Sequence, residues 1–431
     1  MKTIGLILAG MLACPFYSGA KDDNRAGENQ FSMSVQIRPR AEYRNGVLFP
    51  RPAGEEAAGF INNRARISME YMRDRLSMKL SAQHVGVWGQ DPQIDKNGRF
   101  SLNEAWARLD FGHHLFAQLG RQVLSYDDER ILGGLDWNVA GRYHDALKLG
   151  FENKVHRLNL VLAFNQNDER TIGGTYYAPG GQPYKNMENV WYHVTPSPTF
   201  NASFLFLNLG LEGEAETPAA GTHYLQTMGT YLTYTPANWT LNGTFYYQTG
   251  HNRKDRQVSA FMWAVRAAYK FDSRWSMVFG SDYLSGNDMN KAGGKYKAFD
   301  PLYGTHHKFY GGMDYFYASS FANGLNPGLW DNQLGIGFQP EKRVNLSLNY
   351  HYFATTTSVY EGNKKQNRGL GSEFDFQVDW TIMKDVKLSA GYSTMFGTRT
   401  MKSVKGGNPS HWQDWGWLSL NINPRVLFVK W

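Results

Sequence analysis

The sequence predicts an all-β fold: a transmembrane antiparallel β-barrel of about 18 strands, with long extracellular loops and short periplasmic turns. Three observations predict it. Segment after segment alternates apolar and ionic residues with period two; tight turns alternate with long polar connections; and the composition favours strands and turns, with 15% aromatics, 45 glycines and 16 prolines in 431 residues. Mean hydropathy is −0.50 and 19% of residues are charged, although 42% are hydrophobic. No apolar run of about 20 residues exists beyond the first positions, which excludes a helical membrane protein. The aromatic content excludes a disordered chain.

The amino terminus comes first. Lys2, an apolar stretch over 4–13, and Ser18-Gly19-Ala20 before Lys21-Asp22-Asp23 follow the order of a cleaved secretory signal. The domain reading is therefore a signal peptide at 1–20 and a single barrel domain at 21–431. A lipoprotein signal at Cys14 is the rival, and Met11 and Leu12 fit its small-residue positions poorly. Cys14 is the only cysteine, so the chain has neither a disulfide framework nor a cysteine metal site.

Strands follow. Over 31–44, Val35, Ile37, Ala41 and Tyr43 oppose Gln36, Arg38, Arg40, Glu42 and Arg44. Ala65, Ile67, Met69 and Tyr71 oppose Arg64, Arg66, Ser68 and Glu70; Leu147, Leu149 and Phe151 oppose Lys148 and Glu152; Leu158, Leu160, Leu162 and Phe164 face away from Arg157 and Asn159. Late in the chain Phe374, Phe376, Val378 and Trp380 oppose Glu373, Asp375, Gln377 and Asp379. Short links hold Pro236, Asn238, Asp272 and Ser273, whereas long connections are read at 126–144, 168–187, 286–331 and 397–414. Trp88, Trp106, Trp191, Trp239, Trp275, Trp380 and Trp417 are read as interface girdles. Pro39 demands a bulge in the first strand, and Pro424 interrupts the last, which ends at Trp431. A soluble β-sandwich or propeller is the competing fold, but ionic rows of both signs suit a wet lumen better than a core, and no propeller-length repeat is visible.

Residues 120–142, GRQVLSYDDERILGGLDWNVAGR, with Asp145 behind them, resemble the signature of the alginate export family of outer-membrane barrels. NNRARISMEY (62–71), FDPLYGTHHKFYGGMDYF (299–316) and GSEFDFQVDWTIMKDVKLSAGYSTMF (371–396) resemble the same family, in order along the chain. The resemblance implies a monomeric eighteen-stranded channel, in the outer membrane of a Gram-negative bacterium, narrowed by loops and passing an acidic polysaccharide, uronic acid oligomers or another anionic solute. It carries Arg121, Asp128, Arg130 and Arg142 as site positions. Alternation adds Arg38, Arg40, Arg64, Arg66, Arg108 and Lys148 to the expected pathway, with Glu42, Glu70, Glu373 and Asp375 as supporting carboxylates, and Asp127 and Asp136 of the loop motif are expected to hold its arginines in place. Arginine forks match carboxylates bidentately, and interspersed acids keep a polyanion from binding too tightly for conduction.

His306-His307 with Asp314 is read as a loop anchor, His307 and Asp314 being its members, rather than as metal or catalytic chemistry. Asp127, Asp128 and Glu129 lack the ligand spacing of a calcium loop, so no metal or cofactor is expected. Ser125, His144 and Asp145 form a hydrolase set only by residue type, with no nucleophile elbow. The alternative function is an outer-membrane barrel enzyme acting on lipid or saccharide, which would need such a set assembled on one wall. The formal charge of +7 points to anionic partners. Expected partners are an anionic saccharide or small acidic solute, outer-membrane lipid, lipopolysaccharide and the barrel assembly machinery, not nucleic acid.

Overall fold

Eighteen strands close into one antiparallel ring. The computed structural model describes residues 27–91, 99–166, 169, 171–172, 184–213, 221–288 and 294–431. The expected signal segment with Cys14, and most of the connection expected at 168–187, lie outside them. In chain order the strands are β1 (Gln30–Asn45), β2 (Ala58–Arg73), β3 (Leu76–Val87), β4 (Phe100–Gly112), β5 (Leu115–Gln122), β6 (His144–Glu152), β7 (His156–Phe164), β8 (Asn186–Ser197), β9 (Phe200–Glu212), β10 (Thr222–Tyr234), β11 (Trp239–His251), β12 (Gln257–Lys270), β13 (Trp275–Leu284), β14 (Leu329–Glu341), β15 (Val344–Ala354), β16 (Gly369–Met383), β17 (Val386–Gly397) and β18, which runs as Gln413–Ile422 and Arg425–Lys430.

Neighbours in sequence pair, and β18 closes on β1. Pro424 lies between the two segments of β18, and both segments pair with β1 in nearly one register, from Gln30↔Lys430 to Asn45↔Asp414, so they count as one strand. Pro39 keeps its place opposite Asn63 of β2. On its other side the ladder to β18 skips Arg38 and Pro39 and resumes at Arg40↔Ser419, so the missing N–H faces the seam. The irregularity in that ladder lies at Met33/Ser34, opposite Leu427 and Arg425 just beyond Pro424.

Alternation sorts each strand into two environments. Ile37 and Tyr43 are 46% and 47% exposed on the outer face, while Gln36, Arg40 and Glu42 of the same strand are buried inside. Phe245, Phe261, Phe279, Leu334, Leu348 and Phe376 continue the outer apolar belt on successive strands, where lipid covers them. Trp239, Trp275 and Trp380 mark its periplasmic rim, and Trp88, Trp330 and Trp412 its extracellular rim. Three girdle assignments need correction: Trp106, Trp191 and Trp417 line the lumen.

The lumen itself is divided. The third extracellular loop, L3 (123–143), and the described residues of the seventh, L7 (285–288 and 294–328), fold inward with the short helix α1 (Arg399–Lys405) of the ninth. Leu124, Ile131 and Leu132 of L3, Phe299, Phe309 and Phe316 of L7, and Met401 and Val404 of α1 join inward Met187, Leu207, Leu209 and Met262 in one buried apolar cluster. Each such side chain contributes about 1.5–3 kcal/mol on burial. The extracellular half is therefore filled like a domain core. The periplasmic half holds a cavity of about 3430 Å³, lined by strand residues, periplasmic turns, and parts of L3 and L7; no described residue of the other extracellular loops lines it.

Candidate functional site

L3 leaves β5 and crosses the lumen as a bar. At one end Asp136 lies between Arg38 of β1 and Arg64 of β2, accepting from them at 2.9 and 2.8 Å. Those arginines are register partners on adjacent strands, and like charges directly opposite destabilise a sheet unless a counter-charge separates them. Asp136 is that counter-charge. Burial alone would raise its carboxyl, but Arg64 and Arg38 outweigh burial and hold it below the usual carboxylate range. Arg64 is 1% exposed, and its Nε and Nη1 have no partner among the described residues.

At the other end Arg130 donates through Nη1 and Nη2 to Asp282 of β13 at 2.9 and 3.0 Å, and through Nε to Asp128 at 2.8 Å. Its guanidinium also covers the Phe309 ring, 4.0 Å from the centroid. Burial opposes this charge, and Asp282 and Asp128 more than restore it. Asp127, in left-handed backbone at φ 54°, accepts from Trp191 Nε1 at 3.0 Å and from the Ser203 hydroxyl. Its burial prevails over those bonds and pushes its carboxyl up to about 6.

L7 backs the bar. Gly133 N donates to Tyr303 O at 2.9 Å, Tyr303 N returns to Ile131 O at 3.0 Å, and Thr305 N donates to Glu129 O at 2.9 Å. Arg142 donates to the Tyr303 and Gly304 carbonyls, so it ties L3 to L7 rather than lining the cavity, and burial lowers its pKa. L7 in turn hangs on β16: Met313 N donates to Glu373 at 2.8 Å and Gly312 N to Asp375 at 3.3 Å. A Cβ on Gly311, at φ +89°, would come within 2.7 Å of the Glu373 carboxylate, so the approach requires glycine. His307 bonds Asp314 at 2.8 Å and stacks on Trp137 of L3, centroids 4.1 Å apart.

The expected pathway residues thus separate. Arg38, Arg64, Arg66, Arg108, Asp128, Arg130 and Lys148 line the cavity, as do Glu70, Asp127, Asp136, Asp375 and His307. Arg66 bonds Gln83 at 2.6 and 2.9 Å, Arg108 pairs with Asp110 at 2.9 Å, and Glu70 meets Lys79 at 3.5 Å. Lys148 has no ion-pair partner within 4 Å among the described residues. Arg40 does not reach the cavity: Glu42 holds it at 2.8 Å, and it lies 3.9 Å from the Trp137 ring centroid as a support for L3. Glu42 also takes the Trp415 Nε1 bond at 3.1 Å, and Glu373, fully buried, anchors L7.

Arg121 is the clearest correction. In β5 the inward side chains are Phe116, Gln118 and Gln122, so Arg121 points outward, where it makes a fork to Asp145 with both contacts at 2.9 Å. Ser125, His144 and Asp145 are likewise not brought together: Ser125 bonds Glu129, His144 bonds Tyr184 and Asp145 bonds Arg121. Sequence reading missed Lys79 on β3, which pairs with Glu104 at 2.8 Å, and Arg266 on β12; both line the cavity, and both stand at inward positions by the period-two rule. It also missed Asp282, 152 residues from its partner, which no local signal marks.

The "Alginate export" family description matches residues 32–405. The chain belongs to the alginate export family. A search of curated proteins found no significant match. Among solved structures this family member resembles OccK9 (OpdG) of Pseudomonas aeruginosa, at TM-score 0.62 and 11% identity over 92% of this chain and 98% of that one. The BenF-like porin of Pseudomonas fluorescens Pf-5 gives 0.60 and 12% over 92% and 99%, and the outer membrane protein OpdK of Pseudomonas aeruginosa 0.61 and 8% over 93% and 99%. At such identities the likeness establishes the fold, that of an outer-membrane porin. Family and fold together make this alginate export member an outer-membrane transport channel.

Proposed function

We propose that this protein is a passive channel for anionic solutes, of the acidic saccharide or uronic acid class, and that the arginines beside the near end of L3 attract them. The observation that carries the reading is the sharing of one carboxylate, Asp136, by two guanidinium groups, Arg38 and Arg64. Two positive charges against one negative leave a local excess where the lumen narrows, and Lys148 of β6, about a quarter-turn round the ring, adds a cation with no ion-pair partner among the described residues. In a confined, low-dielectric passage such an excess concentrates anions, and the interspersed acids keep each site weak enough to release them. Family membership supports the saccharide class. No assembled nucleophile, base and acid supports the enzyme alternative among the described residues.

The test is the reversal potential of the refolded protein in planar bilayers under a KCl gradient. Anion preference in the wild type, reduced in Arg38→Gln, is the expected result. Equal permeability to both ions in the wild type, or an unchanged potential in the variant, refutes the pathway.

A further inference from the structure

β10 and β11 stand nine strands, half of the eighteen-strand ring, from β1 and β2, and so face the arginine wall across the lumen. Their inward positions carry no charge at the depth of the cavity: Tyr231 and Thr233 on β10, Asn242 and Thr244 on β11, all lining it. Register pairs Tyr231 with Thr244 and Thr233 with Asn242, which makes a two-by-two block of hydroxyls and one amide. The block is pre-arranged. Asn242 Nδ2 donates to Tyr231 Oη and to Thr233 Oγ1, both at 2.9 Å. Both amide hydrogens are thereby used, and Oδ1 is left as an acceptor with no hydrogen-bond donor among the described residues.

We infer that this neutral block is the specificity-determining surface of the channel, reading the hydroxyl groups of a carboxylate drawn to the opposite wall. The inference rests on the proposed anion pathway. The arginine wall treats every carboxylate alike, because Coulomb attraction takes no account of what else the anion carries. A surface of oriented donors and acceptors does discriminate, since an anion without hydroxyls leaves those groups unanswered. Polyhydroxylated acids therefore gain a second contact that aromatic acids of similar charge do not.

The experiment is current block of the full-length protein in planar bilayers by trigalacturonate and, separately, by benzene-1,3,5-tricarboxylate, an aromatic anion of the same charge without hydroxyls, for wild type, Asn242→Leu and the nearly isosteric Thr233→Val. Both variants are expected to bind trigalacturonate about 3- to 10-fold more weakly, the worth of one or two hydrogen bonds, with benzene-1,3,5-tricarboxylate block and KCl reversal potential unchanged. Equal losses for the two blockers, or no loss for trigalacturonate in either variant, overturn the inference. Failure of trigalacturonate to block a wild-type channel that still prefers anions overturns it too and leaves the pathway standing. A wild type without anion preference removes the pathway and the inference together.

Discussion

The two ends of L3 use the same residue type for opposite purposes. At the far end Arg130 is saturated: two carboxylates and an aromatic face take its charge, and Asp282 is itself 1% exposed. At the near end Arg38 and Arg64 share a single carboxylate, and two nitrogens of Arg64 have no partner among the described residues. A saturated buried arginine is a fastening. An under-compensated one is a source of field. Counting arginines in the lumen therefore overstates the pathway, and what distinguishes them is how completely each is answered.

The strongest way to break this contrast is Asp282→Asn. Removing one partner of a buried pair strands the other charge, so about 3–5 kcal/mol of stability should be lost, read as a lower unfolding temperature in detergent. An unchanged unfolding temperature would make the far end no different from the near one. Next in size is the pH response of Asp127. Its carboxyl is raised from 3.8 to about 6 in the folded protein, so folding favours its protonated form. The contribution is fully present below pH 3.8 and is lost as pH rises towards 6; Asp127→Asn, which stays uncharged, should flatten the unfolding temperature over that window. A wild-type curve already flat there refutes the assignment.

Smaller in energy but specific to the near end, Arg38→Gln should cost little stability while moving the reversal potential towards zero. The shift should be largest at low salt and vanish near 1 M, where screening acts within about 3 Å. The smallest effect belongs to Arg121→Gln. Its exposed outer-face pair with Asp145 is worth at most about 1 kcal/mol, and ion selectivity should not change at all. A selectivity change there would place Arg121 in the conduction path after all.

Much of the barrel was legible because lipid outside and polar groups inside impose a two-residue period on β1, β2, β6 and β16. The same parity, applied to Phe116, Gln118 and Gln122, turns Arg121 outward; a motif resemblance alone does not carry facing. The packed extracellular half was also written in the chain. In β9, FLFL (204–207) is apolar on both faces, which a strand tolerates only where lipid lies on one side and a packed interior on the other. The partners of L3 were not legible. Arg130 meets Asp282 and Asp127 meets Ser203 across the ring, and loop-to-wall contacts at such separations depend on how the loop turns, at left-handed Asp127 and Glu129, rather than on any local pattern.

The closing ladder between β1 and β18 carries both strand prolines, with rungs absent beside Pro39 and the strand itself interrupted at Pro424. In a ring every strand pair has the same topological rank, yet this one has the fewest continuous rungs across its middle. A barrel under load parts where it is least stitched, because bare N–H and C=O groups in hydrocarbon are costly and already-missing rungs lower the toll of opening. The seam is thus the first joint to yield when the sheet is pulled apart: amide protons of Ile37 and Ala41, which face it, should exchange before those of the unbroken β11–β12 ladder.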